Sequence, residues 1–190
     1  MNNRRFSGEI ERLRADERIA RLEISRVVDL SLAGLSAESM LDIGTGSGIF
    51  AEAFAARGLK VAGVDLRDDM LEAARQYVPV GDFRQAHMEL LPFADAAFDL
   101  AFMGLVLHEA DDLVKALREA YRTLRQRLMI LEWPYEIGEF GPPQDHRLRA
   151  EQVLDAAREA GFKTVESVAL KHLILFRMEK IAMTLPPAVE

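Results

Sequence analysis

The chain has 190 residues, of which 49% are hydrophobic and 29% are charged. This composition is typical of a folded globular protein, and the length suits one compact domain rather than two full-sized domains. The net charge of −7 disfavours binding to nucleic-acid phosphates, and the absence of cysteine excludes disulfides, thiolate metal sites and cysteine nucleophiles.

Two further absences narrow the class of protein. No apolar run reaches the ~18 residues of a membrane span, and the charged start lacks the apolar segment of a signal peptide. We therefore expect a cytoplasmic protein without a membrane span. The four histidines include no pair at the spacing of a helical zinc site, so we expect no metal. The sequence leaves the oligomeric state open.

The first predicted element is an N-terminal helical cap at residues 1–35. Apolar side chains recur there at near-helical spacing among charges, from Ile10 to Leu30. A break that contains Gly34 ends this segment. Residues 36–190 are predicted to form one globular unit.

Apolar strands and amphipathic helices alternate through the rest of the chain. The predicted strands are residues 39–43, 59–65, 82–85, 98–103 and 127–133. The predicted helices are residues 49–57, residues 68–77, a helix capped by Asp111 or Asp112, and residues 150–160. This alternation favours a parallel sheet that is covered on both faces.

The C-terminal part departs from this pattern. Residues 163–169 and 171–178 are both rich in β-forming side chains, and they are too close together for a helical crossover. We therefore expect an antiparallel hairpin. The predicted fold is a doubly wound α/β domain with a mostly parallel seven-stranded sheet and an antiparallel C-terminal hairpin strand.

Residues 42–48 read D-I-G-T-G-S-G at the end of the first strand. The dinucleotide fingerprint G-x-G-x-x-G would require glycine at Ile49, so the spacing here differs. Asp65 closes the second strand, where a carboxylate can accept hydrogen bonds from the ribose of a nucleoside. Together these features indicate a nucleoside site. Alternatively, the glycines serve only a turn, and Asp42 binds only local backbone N–H groups.

At these residues the sequence resembles the class I S-adenosylmethionine-dependent methyltransferases, in the type 11 subgroup related to quinone-biosynthesis and other small-molecule enzymes. The motifs are L-D-I-G-T-G-S-G at 41–48, G-V-D-L at 63–66, L-L-P-F-A-D-A-A-F-D-L-A-F at 90–102 and L-V-L-H-E-A-D-D at 105–112. The resemblance implies a Rossmann-like fold, S-adenosylmethionine as cofactor and S-adenosylhomocysteine as product.

The resemblance also implies roles for individual residues. The glycine loop contacts the methionine end of the cofactor, Asp65 binds the ribose and Leu66 packs on adenine. His87 stands where the family usually has an acid that binds the adenine amino group, so it contacts adenine or is simply exposed. The cofactor-binding residues implied are Asp42, Gly44, Thr45, Gly46, Ser47, Gly48, Asp65, Leu66, His87, Met88, Met103 and Gly104.

Other residues are candidates for chemistry or for the acceptor site. His108 follows the fourth strand and is either a general base or a packing residue. Trp133 and Tyr135 either form an aromatic wall or pack under residues 141–143. His146 and Arg147 either contact a substrate anion or begin a solvated helix.

Three functions are compatible with these patterns. The first is methyl transfer to a small-molecule acceptor, since residues 103–106 lack the Asn/Asp-Pro-Pro-aromatic motif of enzymes that methylate nucleic-acid bases. The second is a cofactor-binding module without catalysis. The third is a nicotinamide-dependent oxidoreductase, which Ile49 and the lack of a Tyr-x-x-x-Lys pair disfavour.

Overall fold

The computed structural model describes residues 5–6 and 8–180. Residues 1–4 and 7 of the predicted cap, and residues 181–190 of the predicted globular unit, lie outside the described residues. The helices are α1 (Ile10–Leu13), α2 (Asp16–Leu22), α3 (Ile24–Leu32), α4 (Ile49–Ala55), α5 (Asp68–Tyr77), α6 (Leu113–Thr123) and α7 (Ala150–Ala160). The strands are β1 (Ser39–Ile43), β2 (Lys60–Asp65), β3 (Asp82–Gln85), β4 (Phe98–Gly104), β5 (Leu124–Glu132), β6 (Thr164–Ala169) and β7 (Ile174–Glu179).

The seven strands form one sheet in the order β3-β2-β1-β4-β5-β7-β6. The first five strands run parallel, and β7 pairs antiparallel with both β5 and β6. This confirms the predicted α/β fold with its C-terminal hairpin. β1 lies inside the sheet, with β2 and β3 on one side and β4 and β5 on the other. The carboxyl ends of β1 and β4 therefore meet at the point where the strand order reverses. Ligands bind beyond such a point in open α/β sheets.

Helices cover both faces of the sheet, as the apolar strands predict. On β4, Leu100 and Phe102 face the core layer that α3, α4 and α5 cover, whereas Ala101 and Met103 face the layer beneath α6 and α7. Phe102 is completely buried. No helix within the described part of the chain is long and apolar enough to cross a membrane.

The N-terminal cap is three short helices rather than one continuous helix. Glu23 follows the last residue of α2, and its left-handed backbone (φ 46°) separates α2 from α3. α3 then packs Val27 and Val28 into the sheet core. The helical periodicity therefore identified the apolar face but not the break, because the spacing on either side of one left-handed residue remains close to helical.

Element bounds differ from the predictions mainly at polar ends. β5 begins at Leu124, before the predicted position 127, since Arg125 and Gln126 extend the strand despite their polarity. α4 ends at Ala55 rather than at residue 57. Of the two aspartates predicted to cap α6, Asp112 does so, and its Oδ1 accepts from the Lys115 N–H at 3.0 Å.

Arg127 connects the cap to the sheet. This β5 side chain is 2% exposed, and its Nη1 donates to the carbonyl oxygens of Ser31 and Ala33 at 2.8 and 2.9 Å. Its Nε donates to Glu179 Oε1 at 2.8 Å. One buried guanidinium thus binds the last residues of α3 and the end of β7. Buried charges require such partners, because removing an unpaired charge from water lowers the stability of the folded state.

We expect Arg127→Gln to lower the free energy of unfolding by about 2–3 kcal/mol, because two buried carbonyls and a carboxylate lose a charged donor. Urea denaturation measures this difference. The control is Arg118→Gln, which removes an exposed ion pair with Glu159 and is expected to cost less than about 0.5 kcal/mol. Equal losses for the two variants would contradict the anchoring role of Arg127.

Candidate functional site

The glycine loop, residues 44–48, connects β1 to α4. Gly44, Gly46 and Gly48 all have positive φ angles, of 73°, 52° and 77°. The N–H groups of Gly44 and Thr45 both donate to the Val64 carbonyl, at 2.8 and 2.9 Å. Left-handed backbone at alternate positions favours glycine, which is why this short loop contains three of them.

The three glycines meet different neighbours. A Cβ on Gly44 would overlap the side chain of Val106, and one on Gly48 would lie 2.9 Å from Ala74 Cα. A Cβ on Gly46 would meet only Leu13 Cδ1, at 3.4 Å. Gly44 and Gly48 therefore permit close packing within the protein, whereas Gly46 borders open space.

Asp65 binds the backbone of this loop. Its Oδ2 accepts from the Gly46 N–H at 2.9 Å and its Oδ1 from the Arg67 N–H at 3.0 Å. Burial raises the pKa of Asp65, although backbone N–H groups of Arg67, Gly46 and Leu66 oppose the change. The carboxylate thus joins the end of β2 to the loop that follows β1.

Asp42 and Ser47 lie behind the loop. Asp42 is buried, and its Oδ2 accepts from the Thr45 hydroxyl at 2.8 Å. Burial raises the pKa of Asp42 to about 7, although hydrogen bonds from Thr45 and from the Ala51 backbone oppose the change. Ser47 Oγ is buried and has no hydrogen-bond partner among the described residues. Asp42 therefore orients the loop.

Two adjoining cavities lie against these residues. The smaller, of about 90 Å³, contains Asp65, Leu66 and Met88 in its wall. The larger, of about 810 Å³, extends from the glycine loop to the N-terminal helices and to the segment after β5. Both cavities share Gly44, Asp65 and Val106. Together they form a site at the carboxyl edge of the parallel strands, where the sequence predicted it.

Most of the predicted cofactor-binding residues line these cavities, and three do not. The lining residues are Asp42, Gly44, Thr45, Gly46, Ser47, Asp65, Leu66, Met88 and Gly104. Met103 is fully buried in the core, because alternate side chains of β4 face the α6 and α7 layer. Gly48 instead packs against α5.

His87 is the third predicted residue outside the cavity lining. It begins a turn in which the Leu90 N–H donates to the His87 carbonyl at 3.0 Å, and its side chain is exposed. The acid in this region that lines the smaller cavity is Glu89, two residues later. Glu89 Oε1 accepts from the Asp111 N–H at 2.8 Å. The family resemblance pointed to His87 rather than Glu89, because the sequence does not show which residue of this turn faces the cavity.

His108 and Glu132 form a buried pair at the ends of β4 and β5. Nδ1 of His108 lies 2.9 Å from Oε2 and 3.1 Å from Oε1 of Glu132, and the His108 N–H also donates to Oε1. The two residues are 4% and 2% exposed. His108 lines the larger cavity. The structure therefore holds an oriented imidazole in the wall of the site.

The segment after β5 uses its aromatic and basic residues in different ways. Trp133 lines the larger cavity and also packs under Gly141, as one prediction proposed. His146 lines the cavity as well. Arg147 is buried, and it donates to the carbonyl oxygens of Pro142, Pro134 and Phe140. Arg147 therefore holds the segment in place rather than beginning a solvated helix.

The cap contributes site residues that the sequence did not identify. Arg14 donates from Nε and Nη2 to the Ser47 carbonyl at 3.2 and 2.8 Å, and from Nη1 to Glu52 at 2.9 Å. The Phe6 N–H donates to Glu109 Oε1 at 2.9 Å. Apolar periodicity does not report such contacts, because they depend on how the three short helices fold back over the loop.

Metal binding has no support in the part of the chain that the structure describes, because it contains no group of three or more His, Asp or Glu side chains arranged to hold an ion.

Comparisons with known proteins were made for sequence and for fold. Residues 41–130 match the family model described as "Methyltransferase domain". The chain is 38% identical over 94 residues to a malonyl-[acyl-carrier protein] O-methyltransferase of Serratia marcescens, and 36% identical over 87 residues to a demethylmenaquinone methyltransferase of Chlorobaculum parvum. These alignments cover 50% and 45% of this chain but only 37% and 36% of the relatives.

A solved structure described as a SAM-dependent methyltransferase from Aquifex aeolicus shares the fold. The TM-score is 0.81 at 22% sequence identity, over 90% of this chain and 97% of that one. The matched sequence region contains the glycine loop, Asp65 and His108, and the matched fold places them at one edge of the sheet. Residues 41–130 therefore match the methyltransferase-domain family model, and the chain shares its fold with a SAM-dependent methyltransferase.

Proposed function

We propose that this protein transfers a methyl group from S-adenosylmethionine to a small-molecule acceptor. The observation that carries the proposal is the Asp65 carboxylate, which the Gly46 N–H holds in the wall shared by both cavities. In this proposal the ribose would bind Asp65, the adenine would contact Leu66 and Met88 in the smaller cavity, and the methionine end would bind at the glycine loop. The larger cavity then remains for the acceptor.

The residues present fit this cofactor. Ser47 Oγ is a buried polar atom without a partner among the described residues, next to the loop that would hold the methionine end. Gly46 presents no side chain to the cavity, which leaves room for a ligand against the backbone. Asp65 retains acceptor capacity, since a carboxylate has about four lone-pair sites and the backbone N–H groups of Gly46, Arg67 and Leu66 occupy no more than three.

His108 supplies the base in this proposal. Because Nδ1 binds Glu132, the ring carries its proton there and Nε2 is the basic nitrogen. When bound, the cofactor supplies a methyl group on a positively charged sulfur, and the sulfur keeps the bonding electron pair. As the acceptor oxygen or nitrogen bonds to the methyl carbon, its proton passes to His108 Nε2. Glu132 is a positioning residue that stabilises the imidazolium.

The alternatives have less support. The sequence does not favour a nicotinamide-dependent enzyme, since Ile49 occupies the position of the third glycine of the dinucleotide fingerprint. A binding module without catalysis would not require a buried, oriented imidazole in the acceptor cavity. The names of the two relatives give a malonyl group on a carrier protein and a demethylated menaquinone as acceptors. We propose an acceptor of this small-molecule kind, and a cytoplasmic protein that does not act on nucleic acid, in keeping with its net charge of −7.

We expect S-adenosylhomocysteine to bind and to raise the melting temperature, since it stabilises only the folded state. Asp65→Ala is expected to weaken this binding about 10- to 100-fold, the scale of lost hydrogen bonds to a charged group. Calorimetry measures both affinities, with Asp155→Ala on the exposed face of α7 as control. Binding of NAD instead of S-adenosylhomocysteine would overturn the proposed cofactor.

The glycine loop offers a second comparison. We expect Gly46→Ala to remain folded and to lose most affinity for S-adenosylhomocysteine, because its Cβ projects into ligand space. Gly48→Ala is expected to destabilise the fold by about 2 kcal/mol or more, because its Cβ meets the backbone of α5. Denaturation and calorimetry on both variants separate the two effects. Normal affinity in folded Gly46→Ala would contradict the assignment.

The His108–Glu132 pair is tested with an acceptor found by screening for S-adenosylhomocysteine release. We expect His108→Asn to lower kcat about 10²- to 10⁴-fold while the cofactor affinity stays unchanged, as for loss of a general base. The pH dependence of kcat that reports this base is expected to disappear. Glu132→Gln is expected to give a smaller loss of kcat, and Glu159→Gln, on the exposed face of α7, none. An unchanged pH profile in His108→Asn would exclude the base.

A further inference from the structure

The end of the larger cavity away from the sheet is lined by arginines of the cap. Arg12 lies in α1, and Arg18 and Arg21 lie in α2, all three in the cavity wall. Phe140 from the segment after β5 lies in the same wall, and the guanidinium of Arg21 is 4.0 Å from the centre of its ring. The cavity therefore ends in a cluster of positive charge with an aromatic side chain.

Arg18 is the residue in this cluster that requires explanation. Its side chain is partly buried, and Nη1 donates to the Leu13 carbonyl at 2.8 Å. Burial, together with the charge of the neighbouring Arg21, lowers the pKa of Arg18 to about 10. Among residues 5–6 and 8–180, no carboxylate lies within ion-pair distance of Arg18. A desolvated charge without a counter-ion is unfavourable for stability.

Several arginines elsewhere in the chain have more partners than Arg18, and the buried Arg147, which has no carboxylate partner in the described part of the chain, donates to three carbonyl oxygens. Arg14, in the same cap, pairs with Glu52 at 2.9 Å, and the buried Arg127 pairs with Glu179 at 2.8 Å. Five carboxylates also line the larger cavity: Asp42, Asp65, Glu109, Glu17 and Glu139. Glu17 and Glu139 are exposed, and neither forms an ion pair with the cluster within the described residues. The three arginines therefore line the cavity without an ion-pair partner among the described residues.

Resting on the proposed function, we propose that the methyl acceptor is a small organic anion whose carboxylate or phosphate group binds Arg18, with Arg21 and Arg12 beside it. A guanidinium matches the geometry of such oxyanions through paired N–H donors. Phe140 covers the outer side of Arg21 and holds it in the wall through a cation–π contact. The atom that is methylated lies at the other part of the acceptor, toward His108.

The methionine carboxylate of the cofactor is the competing anion for this cluster. It belongs near the glycine loop, where the cap residue that reaches the backbone is Arg14, through the Ser47 carbonyl. Arg18 instead contacts the carbonyl of Leu13 within the cap. The placement of the two arginines thus assigns different anions to them, and cofactor affinity distinguishes the assignments.

The experiment uses the full chain saturated with S-adenosylhomocysteine and three compound sets: carboxylic acids, phosphate monoesters, and the matched neutral amides and alcohols. Thermal shift identifies the compounds that bind, and calorimetry gives their affinities. Each compound that binds is then assayed as a methyl acceptor with S-adenosylmethionine. We expect binders among the anions, with Arg18→Gln weakening them tenfold or more and Arg18→Lys retaining part of the affinity. Carboxylate-only or phosphate-only binding identifies the oxyanion.

The controls separate this inference from the proposed function. Cofactor affinity of Arg18→Gln is expected to stay within about twofold of the wild type, and Arg118→Gln on α6 is expected to bind the anions normally. If Arg18→Gln loses cofactor affinity instead, Arg18 serves the methionine carboxylate and the inference fails while the function stands. Acceptors found only among neutral compounds would also overturn it. Failure of wild type to bind S-adenosylhomocysteine would overturn the proposed function itself.

Discussion

The contact between the end of β2 and the loop after β1 is the constraint on which the rest of the site depends. The Val64 carbonyl binds two successive N–H groups of the loop, and the Asp65 carboxylate binds a third, that of Gly46. These bonds hold the loop in alternating left-handed conformations that only glycine adopts without strain. The same carboxylate lines the cavities, so one interaction fixes both the shape of the loop and the position of the carboxylate that is proposed to bind the ribose.

The second constraint is the reversal of strand order at β1. Because β4 lies beside β1, its carboxyl end brings Gly104 and His108 to the glycine loop from the side opposite Asp65. β5 follows beside β4 and ends in Glu132, which meets His108 although 24 positions separate them in the sequence. A parallel sheet thus assembles the proposed base and its partner from two strand ends, both supported by buried strands.

The N-terminal helices close the site and give it its charge. Arg14 binds the glycine loop, and α3 is secured to the sheet by Arg127, so the cap is part of the same packed unit as the strands. The breaks between α1, α2 and α3 allow residues of α1 and α2 to line the cavity, while α3 packs into the core. Arginines that would be solvated on one long helix therefore line an internal surface.

The sequence by itself determined the sheet and indicated where the candidate nucleoside site lies. β1, β2 and β4 are largely buried on both faces, so apolar runs located them within one or two residues, and the hairpin followed from the short spacing of its strands. The glycines and Asp65 were recognisable because loop geometry and ribose binding restrict residue type at fixed spacing. Both signals are local in the chain.

Only the tertiary structure decided the contacts between distant segments. The partnership of His108 with Glu132, the place of Glu89 beside the smaller cavity and the exposure of His87 all depend on how turns direct side chains after the strands end. The arginine cluster depends on a single left-handed residue, Glu23, and on the packing of three short helices. Periodicity reports which face of an element is buried, but the partner of a polar side chain is set by long-range packing, to which periodicity is insensitive.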